Sequence, residues 1–484
     1  MSRTLSSWNP GFGEVLPVAL VALVGCGQPA QTGVTWHQDV APIVVERCSG
    51  CHQADGIGGF SLATYADAKP YAEVMQNALA AGTMPPFLAQ ETDSCTPPLP
   101  WQHDLRLSAE ELALIDQWVE GGVLEGDPAT AAPLDPPQPA TLDGANLVLT
   151  LPSSIPVEGT TDLHTCLLLD PNVAADTYVL GRLITSGNDR ILHHVVSYLV
   201  EPSWIDGVPQ TKAELEAAVK AETGAGIGER YDCFGGTGLD TVETEMLDAW
   251  APGGLPNYAP PDSGQPMPKD SLVLLDLHYH PSTTPEVDSA TTLSLVVSDA
   301  VPEKISQIVL LGNFAERVDT EFGVGDLVQQ PDEAAPAFAI PAGAASHVEE
   351  MTWTWTLPPG FDLSVYGVGT HMHLVGRDMR VSLEHPAPVG DEPADTCLIH
   401  TPSWNFNWQR GYGYDGPFEA LPKMRNGDVL RMRCVYDNTA ANPFLEDALV
   451  AQGLDAPVDV KLGEDTLDEM CLAAVAIVYP NYGR

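Results

Sequence analysis

Thirteen histidines are spread over 484 residues, and six of them fall in short runs that alternate like strands. His193 and His194 are neighbours in "HHVVSYLV", His278 and His280 bracket a tyrosine in "LHYH", and His371 and His373 bracket a methionine in "THMH". Residues i and i+2 of a strand face the same side, so His371 and His373 can present two imidazoles to one metal ion. His193 and His194 point to opposite faces of a regular strand and can meet one ion only through a local twist or bulge. A lone strand histidine is more often a packed or solvated group than a ligand, but six in β runs favour a metal. Imidazole alone suits zinc or copper. Met470, in "LDEMCLAAV", discriminates between them: it is either a core methionine beside a structural cysteine, or a thioether ligand that favours Cu(I).

A second chemistry lies upstream. Residues 48–52 read "CSGCH". Cys48 and Cys51 can add to the two vinyl groups of a c-type haem, which leaves His52 beneath the iron as proximal ligand. Against this stands a chance C-x-x-C-H or a vicinal disulfide. Met84, in "AGTMPPF", is the expected second axial ligand, on a segment that two prolines keep from becoming helical. Methionine opposite histidine raises the potential and suits electron transfer.

These groups need two kinds of scaffold. "WHQDVAPIVVERCSGCH" predicts a helix delivering the haem motif, and "LSAEELALIDQWVEGG" predicts a closing helix. In the latter, Ser108 and Glu111 form a capping box, Leu112, Ile115 and Val119 an apolar stripe, and Gly121–Gly122 the stop. Residues 35–126 resemble a small class I cytochrome c domain, so the all-α unit is placed at 26–126. The Pro-rich stretch 127–144 reads as a linker. From Ala145 onward, short apolar or alternating runs are separated by Pro, Gly and Asp turns, with one helix expected over 212–222. That is a mainly β region of roughly 340 residues, too long for one sandwich, and a break near "VSDAVPEKISQ" divides it into 145–300 and 301–484.

Lys and Arg number 21 against 66 Asp and Glu, a formal charge of −45. Such a field repels phosphate backbones, so no nucleic-acid partner is expected. The apolar run Val15–Gly25 is too short to span a bilayer and suits a signal peptide over 1–25. It ends in "LVGC", which resembles a bacterial lipobox with Cys26 as the lipidated residue. An exported protein of the periplasm or cell surface follows, held to the membrane only through that anchor. Export also permits disulfides among the nine cysteines.

The order "HH", "LHYH", "THMHLVG", "GDVLRMRCVYD", "GEDTLDEMC" resembles the copper type II, ascorbate-dependent monooxygenases, the peptidylglycine α-hydroxylating and dopamine β-hydroxylating enzymes. The resemblance covers about residues 145–484. It implies two tandem jelly-roll-like β-sandwiches with two coppers, one on His193, His194 and His278, the other on His371, His373 and Met470. It further implies disulfides Cys166–Cys233 and Cys434–Cys471. The chain departs from the peptide-hydroxylating members at Gly369, Leu472 and Ala474, where they carry an arginine, an asparagine and a tyrosine that hold a substrate carboxylate. Recognition of C-terminal glycine peptides is therefore not expected, and His280 has no implied role beyond a solvated turn.

Inserting one atom of O₂ into a C–H bond needs two electrons beyond those in the bond. Two coppers can store them, with His371, His373 and Met470 as the catalytic, O₂-activating set and the three-histidine site as reservoir. The expected partners are a small-molecule substrate, O₂ and an external reductant, either ascorbate-like or a redox protein, with the haem feeding the coppers. The competing classes are a non-catalytic copper and haem electron-transfer protein and a zinc hydrolase; Met470 and the absence of an H-E-x-x-H spacing disfavour the latter. Cys95 and Cys397 remain once the other cysteines are assigned. Oxidising compartments rarely leave thiols unpaired, which predicts a bridge across the linker, against the alternative of two buried thiols.

Overall fold

The computed structural model describes residues 33–482, apart from 55, 132–133, 135–139, 160, 206, 234–235, 331–334, 464 and 466. The expected signal segment and Cys26 lie outside the described residues. Among the described residues no helix is long and apolar enough to cross a membrane.

The first described helices, Trp36–Val40 and Ala41–Arg47, run directly into Cys48. A second helical stretch ends in Ala72–Ala80, and Ala109–Glu120 closes the unit. The expected capping box is present: the Glu111 amide donates to Ser108 Oγ and the Ser108 amide to Glu111 Oε2. The helix stops where Gly122 takes φ +92°, a conformation glycine adopts without strain. Its buried stripe runs through Ile115 and Trp118 and leaves Leu112 and Val119 half-exposed. Trp118 shifts the stripe because its indole lies 5.6 Å from that of Trp36, centroid to centroid, at the middle of this unit's core.

Residues between the helices do not all stay with them. Phe87, Leu88, Ala89 and Trp101 belong to the core of the C-terminal β region. The Gln90 amide donates to His400 O, the Gln102 amide to Gly413 O, and Trp101 stacks on Tyr414 at 5.0 Å. The stretch 87–102 is thus an excursion from the helical unit, stapled at Cys95–Cys397. Its aromatic residues Phe87 and Trp101 are buried there against Tyr412 and Tyr414.

The rest is mainly β. In the first half, Leu147–Thr150, Thr292–Ser298, Thr177–Thr185 and Ser263–Met267 form one layer. Thr244–Trp250, Leu192–Val200, Leu272–Tyr279 and Leu163–Leu169 form the facing one. Leu149, Val179 and Leu293 from the first layer meet Val195, Leu199, Val273, Leu275 and Leu277 from the second. The opposite face of that second layer carries Cys166, Leu168, Leu274 and Val200, covered by Leu215 and Val219 of the helix Lys212–Thr223.

In the second half, Leu363–His371 and Leu472–Pro480 pack over a six-stranded sheet that includes His347–Trp355, Gly376–Glu384 and Val429–Tyr436. Val429–Tyr436 alternates strictly, burying Leu430, Met432, Cys434 and Tyr436. Lys304–Gly312 joins the halves. It pairs along its whole length with Leu472–Pro480, while its first residues run parallel to Ser263–Gly264 and Ile308 bridges Met246. One sheet therefore passes through both halves.

Candidate metal centre

His278 is the centre of a row that crosses three strands. The antiparallel register sets it opposite His194 on one side and opposite His164 on the other. All three lie on the outer face, since residues of the other parity (Val195, Leu277, Leu167) fill the inter-sheet core. His193 joins them through a bulge. Tyr279 pairs with Leu192 while His278 pairs with His194, so His193 is the extra residue and its ring turns to the side of its neighbour.

The result is tight. Nδ1 of His194 lies 3.2 Å from Nδ1 of His193 and 3.2 Å from Nδ1 of His278. His193, His194 and His278 can each offer one ligand atom to a single ion. Burial holds His194 well below the usual histidine range and His193 at about 4, so neither competes for a proton near neutrality. Ring nitrogens this close either share protons as N–H···N bonds or turn their lone pairs to one cation.

Asp162 and His164 complete the cluster and were not singled out from the sequence. Asp162 Oδ2 lies 2.7 Å from His278 Nε2, which fixes the His278 proton there and leaves Nδ1 as the lone-pair atom. Burial raises the Asp162 carboxyl, but hydrogen bonds and charge from His278 and His280 outweigh it and hold the group at about 2. His164 stacks on His278 at 4.0 Å between centroids, with burial holding it at about 3. His280 is two-thirds exposed, as a turn histidine should be, yet its Nδ1 lies 2.7 Å from Asp162 Oδ1. The available signal was the spacing Asp162-x-His164 at the start of the strand Leu163–Leu169, two residues before Cys166.

The second set forms where Leu363–His371 ends. His371 and His373 have centroids 5.2 Å apart and perpendicular planes. His371 pairs with Leu472, the last pair of that register, and Met470 lies two residues beyond it, next to Glu469 and Asp468, which bond to His373. Met470 is almost fully buried, and its carbonyl accepts from Tyr436 Oη at 2.8 Å. Both histidines have Nδ1 engaged, His371 with Gln409 Oε1 at 2.6 Å and His373 with Asp468 O at 2.9 Å. That leaves Nε2 of each free to bind, the opposite nitrogen from His278. Burial holds His371 at about 3 and lowers His373 as well.

Glu469 ties this set together. Its Oε2 accepts the amides of His373 and Met470, and its Oε1 those of Val375 and Gly376. Burial pushes the carboxyl up to about 7 even against these four donors.

No protein-family model and no curated protein matches the chain. Among solved structures it is similar to the major capsid protein P2 of bacteriophage PM2, at 9% identity over 70% of this chain and 98% of that one, with a TM-score of 0.21. It is also similar to the C-terminal globular domain of an oligosaccharyltransferase from Pyrococcus abyssi, at 11% identity over 68% of this chain and 52% of that one, TM-score 0.14. At those scores neither likeness bears on fold or function.

The cysteines are arranged as three bridges, Cys95–Cys397, Cys166–Cys233 and Cys434–Cys471, the last adjoining Met470. Three disulfides belong to an oxidising compartment. Cys166 and Cys233 lie within ligand range of Asp276, but sulfurs bonded to each other are not thiolate ligands. Cys48 and Cys51 alone among the described cysteines are free. Burial pushes Cys48 up to about 11 and raises Cys51, so both are protonated thiols. His52 follows on the same turn, its amide donating to Cys48 O at 2.9 Å. Its Nδ1 is buried with no hydrogen-bond partner, and its ring lies 4.5 Å from that of Phe60. A Cβ on Gly58 would collide with that ring. Met84 follows the helix Ala72–Ala80, its amide donating to Ala78 O at 3.4 Å; no described contact joins it to His52.

Proposed function

We propose that the chain is an exported haem-fused dicopper monooxygenase that hydroxylates a C–H bond of a small substrate with O₂. The observation that carries this reading is the convergence of three Nδ1 atoms at His193, His194 and His278, together with a differently built set at His371, His373 and Met470. Two sites of unequal softness suit two coppers with separate tasks, and a simple carrier has no need of both.

When bound, the coppers supply one-electron storage and O₂ chemistry, and a c-type haem supplies an electron source. The chain's own residues prepare for them. Asp162 holds the proton of His278 on Nε2, Gln409 and Asp468 hold those of His371 and His373 on Nδ1, and Glu469 fixes the loop that carries His373 against Met470. Two half-buried, unbridged thiols, where the other described cysteines are all disulfide-bonded, fit covalent attachment of haem, with His52 as proximal ligand, Met84 as second ligand and the helices 36–120 as a cytochrome c unit.

Beside His371 the strand pairs are Gly369 with Gly411 and Gly369 with Ala474, so the wall there is small and uncharged. That favours a small or apolar substrate over a carboxylate-bearing peptide. Metal analysis combined with O₂ uptake by the reduced protein tests the reading. We expect about two coppers, acid-acetone-resistant haem and O₂ consumption; zinc in place of copper, or haem released by acid acetone, counts against it.

A further inference from the structure

The haem motif is not free on a tether. It is wedged where the two β halves meet. A Cβ on Gly253, in the turn after Thr244–Trp250, would lie 3.5 Å from Cys51 Sγ and 4.0 Å from Arg410 Nη2. One glycine of the first half thus faces both the second haem thiol and a guanidinium of the second half. Gly253 has φ +80°, so a side chain there would strain the turn, while its Cβ would sit in ordinary contact with Cys51. The charges of Arg410 and Asp189 both act on Cys51.

Arg410 is joined by one peptide bond to Gln409, whose Oε1 lies 2.6 Å from His371 Nδ1. The same short segment lies along the histidine's own strand: Gly411 pairs with Gly369, and Arg410 O would be 3.5 Å from a Cβ on Gly369. We infer that Gln409–Arg410 is the electron bridge from the Cys51 edge of the haem motif to His371, so that the His371, His373 and Met470 set is reduced directly and not through His193, His194 and His278. This rests on the metal and haem assignments proposed above.

The step is a single electron. A ferrous c-type haem is oxidised to ferric, one cupric ion held at His371 is reduced to cuprous, and no bond or proton changes place. Tunnelling decays more slowly through bonds and hydrogen bonds than through gaps. From the Arg410 guanidinium the route to His371 runs along the Arg410 side chain, one peptide bond and the Gln409 side chain, and closes with one hydrogen bond. From Asp189, the other group near Cys51, the chain must pass Arg190, Ile191 and Leu192 before reaching His193.

The test uses the full chain loaded with haem and cupric ion. The haem is photoreduced by one electron, its reoxidation is followed at the haem absorption band, and freeze-quenched samples are examined by electron paramagnetic resonance. With copper supplied in excess so that the His371 site stays filled, Gln409→Leu should slow reoxidation more than tenfold at unchanged haem potential, and Gln409→Glu, which keeps an acceptor for His371, should hold it within threefold of native. Arg410→Gln should lower the haem potential through loss of the positive charge. The three-nitrogen cupric signal should persist after the first electron. Loss of that signal first, or a Gln409→Leu rate within threefold of native, overturns the bridge. Native protein that takes up no haem or no copper overturns both this inference and the functional reading beneath it.

Discussion

Asp162 grips two histidines at once, with Oδ2 2.7 Å from Nε2 of buried His278 and Oδ1 2.7 Å from Nδ1 of exposed His280. Only the first of these contacts decides which nitrogen of a cluster imidazole carries the proton. Asp162→Asn should therefore weaken copper binding at the three-histidine set by about 10- to 100-fold, the usual range for a lost carboxylate behind a ligand histidine. His280→Ala should leave it near the native value. Competition with a chelator of known affinity measures both, and equal losses in the two variants would contradict the asymmetry.

Glu469 offers a different kind of test, because it acts on backbone geometry. Glu469→Gln exchanges one acceptor oxygen for an NH₂ that faces amide donors already committed to the site. The cost should be about 2 kcal/mol, as for a lost charge-assisted bond with a partner left unsatisfied. Urea unfolding of the metal-free protein reports it; an unchanged midpoint would show that the loop holds itself.

The Cys95–Cys397 bridge closes a separation of 302 residues. Cys95→Ala with Cys397→Ala should cost on the order of 5 kcal/mol in the chain-entropy account. It should also loosen 87–102 from the second β half, which limited proteolysis reads directly. A Cys95 that alkylates in native, oxidised protein would remove the bridge altogether.

Asp248 lies in the strand Thr244–Trp250, just before the Gly253 turn, and burial raises its carboxyl to about 6 despite the opposing charge of Arg182. Its folded pKa exceeds the unfolded value of about 3.9, so its favourable protonated state is fully present below about pH 4 and is lost as pH rises to about 6. Asp248→Asn, which mimics the protonated form, should gain about 2–3 kcal/mol relative to the native protein across that interval. Paired denaturant titrations at pH 4 and pH 7 give the difference; a constant difference contradicts the sign.

Much of this arrangement was legible before any coordinates. The capping box at Ser108 and Glu111, the strand alternation around Cys434 and the need for a bulge at His193 and His194 are local signals, and each took the expected form. The bridge between Cys95 and Cys397 followed from compartment chemistry, and it formed. What stayed hidden is non-local. His164 became a neighbour of His278 only through strand register, and Gln409 reached His371 from 38 positions away. The departure of Phe87 and Trp101 into the far sheet had no local signature either, since their apolar character fits a helical core equally well.

The central claim is two coppers of unequal ligation, one of them softened by Met470. Copper X-ray absorption on the reduced, copper-loaded protein tests it most directly. The account predicts about two coppers per chain, a nitrogen-dominated shell with one sulfur contribution, and loss of that sulfur signal in Met470→His with metal content retained. A native spectrum without sulfur, or one that Met470→His leaves unchanged, contradicts it.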